Sequence, residues 1–138
     1  IDRRFGFIRK GQVTDGARFD GRMLRDVVTN DNTASEVWAD TAYRSQANER
    51  WLRRNGKVSR IHRKKPRGKP MPERTAKANA AKSSVRARVE HVFAHQKDKM
   101  GLFIRTIGIK RAEAKVALAN LAYNMHRLVF HERRAAMG

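Results

Sequence analysis

The spacing of apolar and polar residues predicts short extended segments in the first half of the chain. Residues 5–13 alternate weakly between apolar and polar positions and contain two glycines, which is typical of a short, bent strand. A helix over residues 20–29 follows, with Asp20 as its candidate N-cap. Two more strands are predicted over residues 36–40 and 58–62. The first of these is apolar and ends in an acid, and the second alternates.

Helical spacing separates the last two strands and dominates the second half of the chain. Ser45 is a candidate N-cap for a helix that ends at Arg54 and is closed by Asn55-Gly56. Two long helices are predicted over residues 76–99 and about 109–131. The first carries an apolar stripe of Val85, Val89, Val92, Phe93 and Met100, and the apolar residues that lie partly on one face of the second are Val116, Leu118, Leu121, Met125, Leu128 and Val129. This alternation of strands and helices predicts an α/β fold.

Length and composition indicate one domain with a core of its own. The chain has 138 residues, of which 40% are hydrophobic, so a packed core is expected and wholesale disorder is not. We find no apolar run near 18 residues and no apolar stretch after the first four residues, so we predict neither a membrane span nor a signal peptide. The absence of cysteine excludes disulfides and thiolate metal sites, and fits a reducing cytoplasm.

The charge is strongly positive and concentrated in one part of the chain. Lysine and arginine number 32 against 13 acids, a formal net charge of +19, and residues 50–88 carry +14 of it because they hold 15 bases and one acid. All three prolines lie in residues 66–72, within a predicted exposed basic loop over about 63–74. Such an excess is typical of a polyanion-binding surface. The alternative is a solvated basic surface, whereas a membrane helix would need interleaved apolar residues.

One acid lies among the bases of the first long helix. At about 100° per residue, Ser83, Arg86, Glu90 and Lys97 fall within an arc of about 60°. A carboxylate contributes little stability there, but a metal-dependent phosphoryl-transfer site would need it. The alternative is a surface ion pair with Arg86 at the i−4 position.

Asp40 is a second candidate ligand because it ends a predicted strand. Ligands of open α/β sheets bind at the carboxyl ends of strands, and carboxylates suit Mg²⁺. The alternative is that Asp40 caps the segment that follows. If both acids bind metal, two-metal catalysis on a nucleic acid becomes feasible, with Arg86 and Lys97 holding phosphate.

Histidine and tryptophan residues provide weaker signals. His91 and His95 are spaced i, i+4, as zinc ligands can be, but no third ligand has matching spacing, and their basic surroundings favour phosphate contact. We predict that Trp38 and Trp51 belong to the core rather than to base-stacking platforms.

These segments resemble the catalytic half of an IS5/IS4-like DDE insertion-sequence transposase. Trp38-Ala-Asp40-Thr-Ala-Tyr43 is similar to the segment around the second catalytic aspartate of that group. Ser83-x2-Arg86-x3-Glu90-x6-Lys97 is similar to its Tyr-x2-Arg-x3-Glu-x6-Lys signature, with serine in place of tyrosine. Residues 105–109 and 120–125 also resemble the family's C-terminal segment, so the resemblance covers essentially the whole chain.

The resemblance implies an RNase H-like fold, a mixed sheet flanked by helices, with residues 1–138 as a partial catalytic domain. Asp40 and Glu90 would be the second and third catalytic acids and ligands of two Mg²⁺ ions, with Mn²⁺ as an alternative. The first acid would lie on a first strand that this chain lacks, since Asp2, Asp15 and Asp20 do not match its position. We therefore expect the isolated chain to be inactive and either poorly stable or rearranged, with open strand edges.

The implied function is Mg²⁺-dependent cleavage and strand transfer at the ends of insertion-sequence DNA. The implied partner is double-stranded DNA, both the terminal inverted repeats and the target, in the nucleoid of a bacterial cytoplasm, with homo-oligomerisation left open. The residues expected to bind phosphate are Arg86, Lys97, Arg63, Lys64 and Lys65. The alternatives are a non-catalytic basic nucleic-acid-binding remnant and, less favoured, a ribosome-associated protein.

Overall fold

The computed structural model describes residues 1–29 and 35–138, and most of the secondary structure in this part of the chain is helical. The helices are α1 (Leu24–Val27), α2 (Gln46–Arg54), α3 (Glu73–Asp98) and α4 (Ile109–Ala136), and the strands are β1 (Glu36–Val37) and β2 (Val58–Ser59). The chain forms two compact units, which we call the central unit (residues 16–87) and the terminal unit (residues 1–15 and 88–138). Helix α3 contributes residues to both.

The central unit is built around a parallel pair of strands. Val37 is paired with Ser59, and hydrogen bonds of the same ladder run on past the two strands, from the Arg60 N–H to the Val37 carbonyl at 2.8 Å and from the His62 N–H to the Ala39 carbonyl at 3.1 Å. Helix α2 connects the two strands, as a parallel pair requires. The predicted strands over residues 36–40 and 58–62 are therefore present, although their regular cores are shorter.

The hydrophobic core of the central unit lies between α1, α2 and the segment after β2. Leu24, Leu52 and Ile61 are buried there, and Ile61 is fully inaccessible to solvent. Partly buried residues packed against them are Val28, Val37, Ala39, Tyr43 and Trp51. The prediction of Trp51 as a core residue is confirmed.

The ends of α2 follow local rules of helix capping. The Ser45 hydroxyl accepts a hydrogen bond from the Asn48 N–H at 3.1 Å, and Gly56 has a φ of 64°, which favours glycine after a helix. Both predictions are confirmed. The predicted helix over residues 20–29 is wrong in its extent: a 3₁₀ turn at Asp20–Arg22 precedes the four-residue α1, and Asp20 lies inside the turn instead of capping a helix.

Asn48 ties α2 to two backbone segments of the central unit. Its buried side-chain amide donates to the Gly21 carbonyl at 2.7 Å and to the Tyr43 carbonyl at 2.8 Å. Asn48→Ala removes both bonds, so we expect it to lower the free energy of unfolding by about 2–3 kcal/mol. Urea denaturation measures this loss. The control is Asn55→Ala, which removes one local bond to the Trp51 carbonyl and should cost about 1 kcal/mol or less; equal losses would contradict the assignment.

The boundaries of the long helices differ from the predicted ones by a few residues. Helix α3 begins three residues earlier, because the Ala76 N–H already bonds to the Pro72 carbonyl at 2.9 Å, and the chain turns away at Gly101, whose φ is 60°. Helix α4 continues to Ala136, five residues beyond the predicted end.

The predicted strand over residues 5–13 is wrong, because the backbone of this segment bonds to side chains of α4. The Ile8 N–H donates to Asn124 Oδ1 at 2.8 Å, and Asn124 Nδ2 donates to the Ile8 carbonyl at 2.9 Å. Arg127 donates to the Phe5 carbonyl at 2.6 Å. The Asp2 carboxylate closes the preceding turn by accepting hydrogen bonds from the N–H groups of Phe5, Gly6 and Phe7.

The buried side of α4 is not the apolar stripe that the spacing predicts. Ala119 and Tyr123 are buried, while Asn120 accepts a hydrogen bond at 2.8 Å from the buried Gln96 of α3. Among the apolar stripe residues, Leu118, Leu121, Met125, Leu128, Val129 and, on α3, Phe93 are exposed. Most of the stripe on α4 therefore faces solvent in the described residues, whereas Val92 of α3 is buried.

The fold class is confirmed at a coarse level. The described residues combine a two-stranded parallel sheet with helices, which makes the chain α/β but mostly helical. The larger mixed sheet of an RNase H-like fold is not seen in residues 1–29 and 35–138.

Candidate active site and nucleic-acid surface

Asp40 lies where the parallel strands end, and its two carboxylate oxygens have different partners. Oδ1 accepts a hydrogen bond from the Ala42 N–H at 2.8 Å and so caps the 3₁₀ turn Thr41–Tyr43. Oδ2 lies 3.5 Å from Arg86 Nη1. The capping role weighed for Asp40 is therefore confirmed, and the second oxygen faces a cation.

The contact between Asp40 and Arg86 is loose. A charge-assisted hydrogen bond of this type is usually 2.7–2.9 Å long, and the 3.5 Å separation exceeds that range. Both side chains are about one-third or more exposed, which limits such a pair to about 1 kcal/mol or less. Another cation with stronger affinity for oxygen would therefore displace Arg86 from Oδ2 at low cost.

His62 is a site residue that the sequence analysis did not single out. It is 8% exposed, and its Nε2 is buried with no hydrogen-bond partner among the described residues. Burial, reinforced by the positive charges of Arg86 and Lys82, lowers the pKa of His62, while the negative charge of Asp40 opposes the shift. The imidazole is therefore neutral near pH 7. In the sequence, His62 is marked only by its place at the end of the alternating segment over residues 58–62. In the structure, this segment lies beside the strand that precedes Asp40.

The chain segment after β2 is fastened to its neighbours by side chains. The Ile61 carbonyl accepts hydrogen bonds from Arg44 Nη1 at 3.0 Å and from Lys82 Nζ at 3.1 Å. Desolvation lowers the pKa of Lys82, and the charges of three nearby arginines add to this effect. One turn earlier on α3, Asn79 exchanges two hydrogen bonds with the backbone of Arg63, at 3.0 and 2.9 Å. These bonds fix the start of the basic loop to α3.

The basic loop itself is exposed. Residues 63–70 are all solvent-accessible and contain no regular helix or strand, which agrees with the predicted basic segment. The bases on this stretch are Arg63, Lys64, Lys65, Arg67 and Lys69. The loop alone therefore presents five cations to solvent.

Glu90 and Lys97 are exposed on α3, which runs unbroken through both. The helical register assumed for residues 86, 90 and 97 is therefore present, and these positions share one face. Glu90 belongs to the terminal unit and Asp40 to the central unit. In residues 1–29 and 35–138, no group of three or more histidines and acids is placed to hold a metal ion.

The two histidines weighed as zinc ligands have separate surroundings. His91 is exposed, whereas the His95 ring meets the rings of Tyr123 and His126 on α4 at centroid distances of 5.7 and 6.2 Å. His95 thus takes part in packing between α3 and α4.

Comparison with known proteins identifies the family. The model of the family described as transposase DDE domain matches residues 1–125, and the chain belongs to this family. No curated protein and no solved structure matches the chain. Within the described residues, no helix is long and apolar enough to cross a membrane. The family is one of enzymes that cleave and join DNA, so DNA is the substrate that membership implies.

Proposed function

We propose that this chain carries part of the catalytic centre of a DNA transposase, with Asp40 and Glu90 as two of its acids. The supporting observation is the position of Asp40 at the carboxyl end of a parallel strand pair, in a chain that matches the transposase DDE domain over residues 1–125. Ligand groups of α/β sheets lie at this edge. The reaction would be cleavage and strand transfer at the ends of an insertion element of the IS5/IS4 type.

The donor atoms fit a hard divalent cation. Asp40 Oδ2 and the exposed carboxylate of Glu90 are oxygen ligands, which Mg²⁺ prefers and Mn²⁺ also accepts. When bound, the metal would activate the attacking oxygen and stabilise the leaving oxygen of the phosphodiester. Arg86 moves from Oδ2 to phosphate in this arrangement, and Lys97 adds a second positive charge. Asp2 is already engaged with three backbone N–H groups, which argues against it as a further ligand.

DNA would be held by the basic loop after β2. Its cations project from a segment whose start is fixed to α3 by Asn79, so they can contact phosphates with little loss of backbone freedom. Phosphate contacts position a protein on DNA without reading sequence. Duplex DNA, both as element end and as target, is the partner proposed for this surface, and the bacterial cytoplasm is the proposed location.

The binding part of the proposal predicts a steep dependence on salt. With about four phosphates neutralised by the loop and its neighbours, the affinity for duplex DNA should fall about a hundredfold between 50 and 200 mM salt. Fluorescence anisotropy with a labelled duplex measures this change. A protein that binds equally well at both salt concentrations would contradict a phosphate-binding role for the loop.

A second candidate function is a basic DNA-binding remnant without catalysis. Two observations favour it: a positively charged arginine faces Asp40, and no cluster of three metal-binding side chains occurs in the described part of the chain. A remnant of this kind would bind DNA with the same salt dependence but would need neither acid.

A further inference from the structure

The ladder of the parallel strands places His62 beside Asp40 on one face of the sheet. Since Val37 is paired with Ser59, the register carries on to pair Asp40 with His62, and the hydrogen bond from the His62 N–H to the Ala39 carbonyl shows that the ladder reaches this point. Side chains alternate between the two faces of a strand. Ile61 enters the core on one face, so His62 leaves the sheet on the other, together with Asp40.

An independent contact identifies the same face. Arg60 lies two residues before His62 and Glu36 four residues before Asp40, and they form an ion pair at 2.7 Å across it. Asp40 and His62 therefore continue a row of polar side chains that runs toward the carboxyl edge of the sheet, where Arg86 of α3 approaches.

The His62 imidazole is buried there with an unused hydrogen-bonding atom. Nε2 has no hydrogen-bond partner in the described part of the chain, although buried polar groups are nearly always paired, because leaving one unpaired lowers stability. A leucine, of similar volume and without polar atoms, would avoid this cost in the free chain.

We infer that His62 donates a hydrogen bond from Nε2 to a phosphate oxygen of DNA bound beside Asp40, a role that rests on the function proposed above. The surroundings favour an anion, because Lys82 and Arg86 both carry positive charge near the ring. A direct bond to Mg²⁺ is disfavoured, since that ion prefers oxygen ligands. The loose 3.5 Å contact between Arg86 and Asp40 lets the arginine shift as the phosphate enters.

Two substitutions in the full chain separate this role from a structural one. His62→Leu removes the unpaired nitrogen, so it should leave the urea midpoint of unfolding unchanged or higher while weakening the binding of duplex DNA about tenfold, the effect of one hydrogen bond to a charged group. His62→Gln keeps an N–H near the place of Nε2 and should bind within about threefold of the parent chain. His126→Leu, at an exposed position of α4, is the control and should bind like the parent.

The outcomes distinguish this inference from the proposed function. If the parent chain binds DNA with the expected salt dependence but His62→Leu binds equally well, or unfolds at lower urea, the role of His62 is wrong and the proposed function stands. If the parent chain shows no salt-dependent binding of DNA, the proposed function fails, and the role of His62 fails with it.

Discussion

Asp40→Asn is expected to abolish Mg²⁺-dependent strand cleavage and to leave DNA affinity within about threefold of the parent protein. The substitution is well matched to the structure, because an asparagine side-chain oxygen can still accept the hydrogen bond from the Ala42 N–H at the start of the 3₁₀ turn. The negative charge is lost, and with it the proposed metal ligand. A metal contributes several kcal/mol to such a transition state, so the rate should fall by roughly a thousandfold or more.

The cost of Asp40→Asn to folding should be small. Arg86 loses this one contact, but the pair is long and about one-third exposed, and such pairs contribute little. The unfolding midpoint of the variant therefore shows whether the turn is intact. Glu90→Gln should lose cleavage to a similar extent, because it removes the other proposed metal ligand, which is exposed on α3.

Cleavage by the parent protein and its variants is measured on a supercoiled plasmid that carries the element ends, with Mg²⁺ or Mn²⁺. DNA affinity is measured without divalent metal. Glu73→Gln is the matched control, because this acid is exposed on the same helix as Glu90 and pairs with Lys77. Cleavage that survives in both Asp40→Asn and Glu90→Gln would exclude them as catalytic acids and favour the non-catalytic binding module.

Local structure could be predicted from the sequence where the residues that determine it lie within the same short segment. Helix α2 begins and ends at the predicted residues because Ser45 and Gly56 satisfy its ends within a few positions. The predicted position of Asp40 at the end of a strand is correct for the same reason, since an apolar strand and a polar turn are adjacent in the sequence.

The packing of α4 could not be predicted, because its partners are distant in sequence and polar. The Asn124 amide makes two hydrogen bonds with the backbone of Ile8, 116 positions away, in place of the bonds that a neighbouring strand would make. Asn120 accepts a hydrogen bond from the buried Gln96. Apolar periodicity selects Leu118 and its neighbours as the core face. The structure instead buries the face that carries the asparagines, since each amide can satisfy two backbone or side-chain groups at once.

His62 was missed for a related reason. From the sequence alone, a single histidine in a short alternating segment cannot be told apart from a polar residue that is merely half-buried in a strand. Its significance depends on the register between two strands and on the absence of a partner for Nε2, and neither is visible in one sequence. Glu90 and Arg86, by contrast, were found because several charged residues repeat at helical spacing on one element.

Replacing Arg63, Lys64 and Lys65 together with glutamine is expected to weaken binding to duplex DNA about a hundredfold at 0.15 M salt. Each lost phosphate contact lowers the slope of log affinity against log salt by about one, so the slope should fall by about three. The fold should tolerate the change. It is the backbone of Arg63 that bonds to Asn79, and removal of the Arg63 charge relieves its repulsion of Lys82.

The control for the triple substitution removes the same charge elsewhere. Lys110, Arg111 and Arg133 are exposed on α4, and their replacement by glutamine lowers the net charge by the same amount. If the basic loop is the DNA-binding surface, the α4 triple should lose less than about fivefold in affinity, because it removes none of the loop's phosphate contacts. Equal losses in the two triples would show that the overall charge of +19, and not the loop, determines binding.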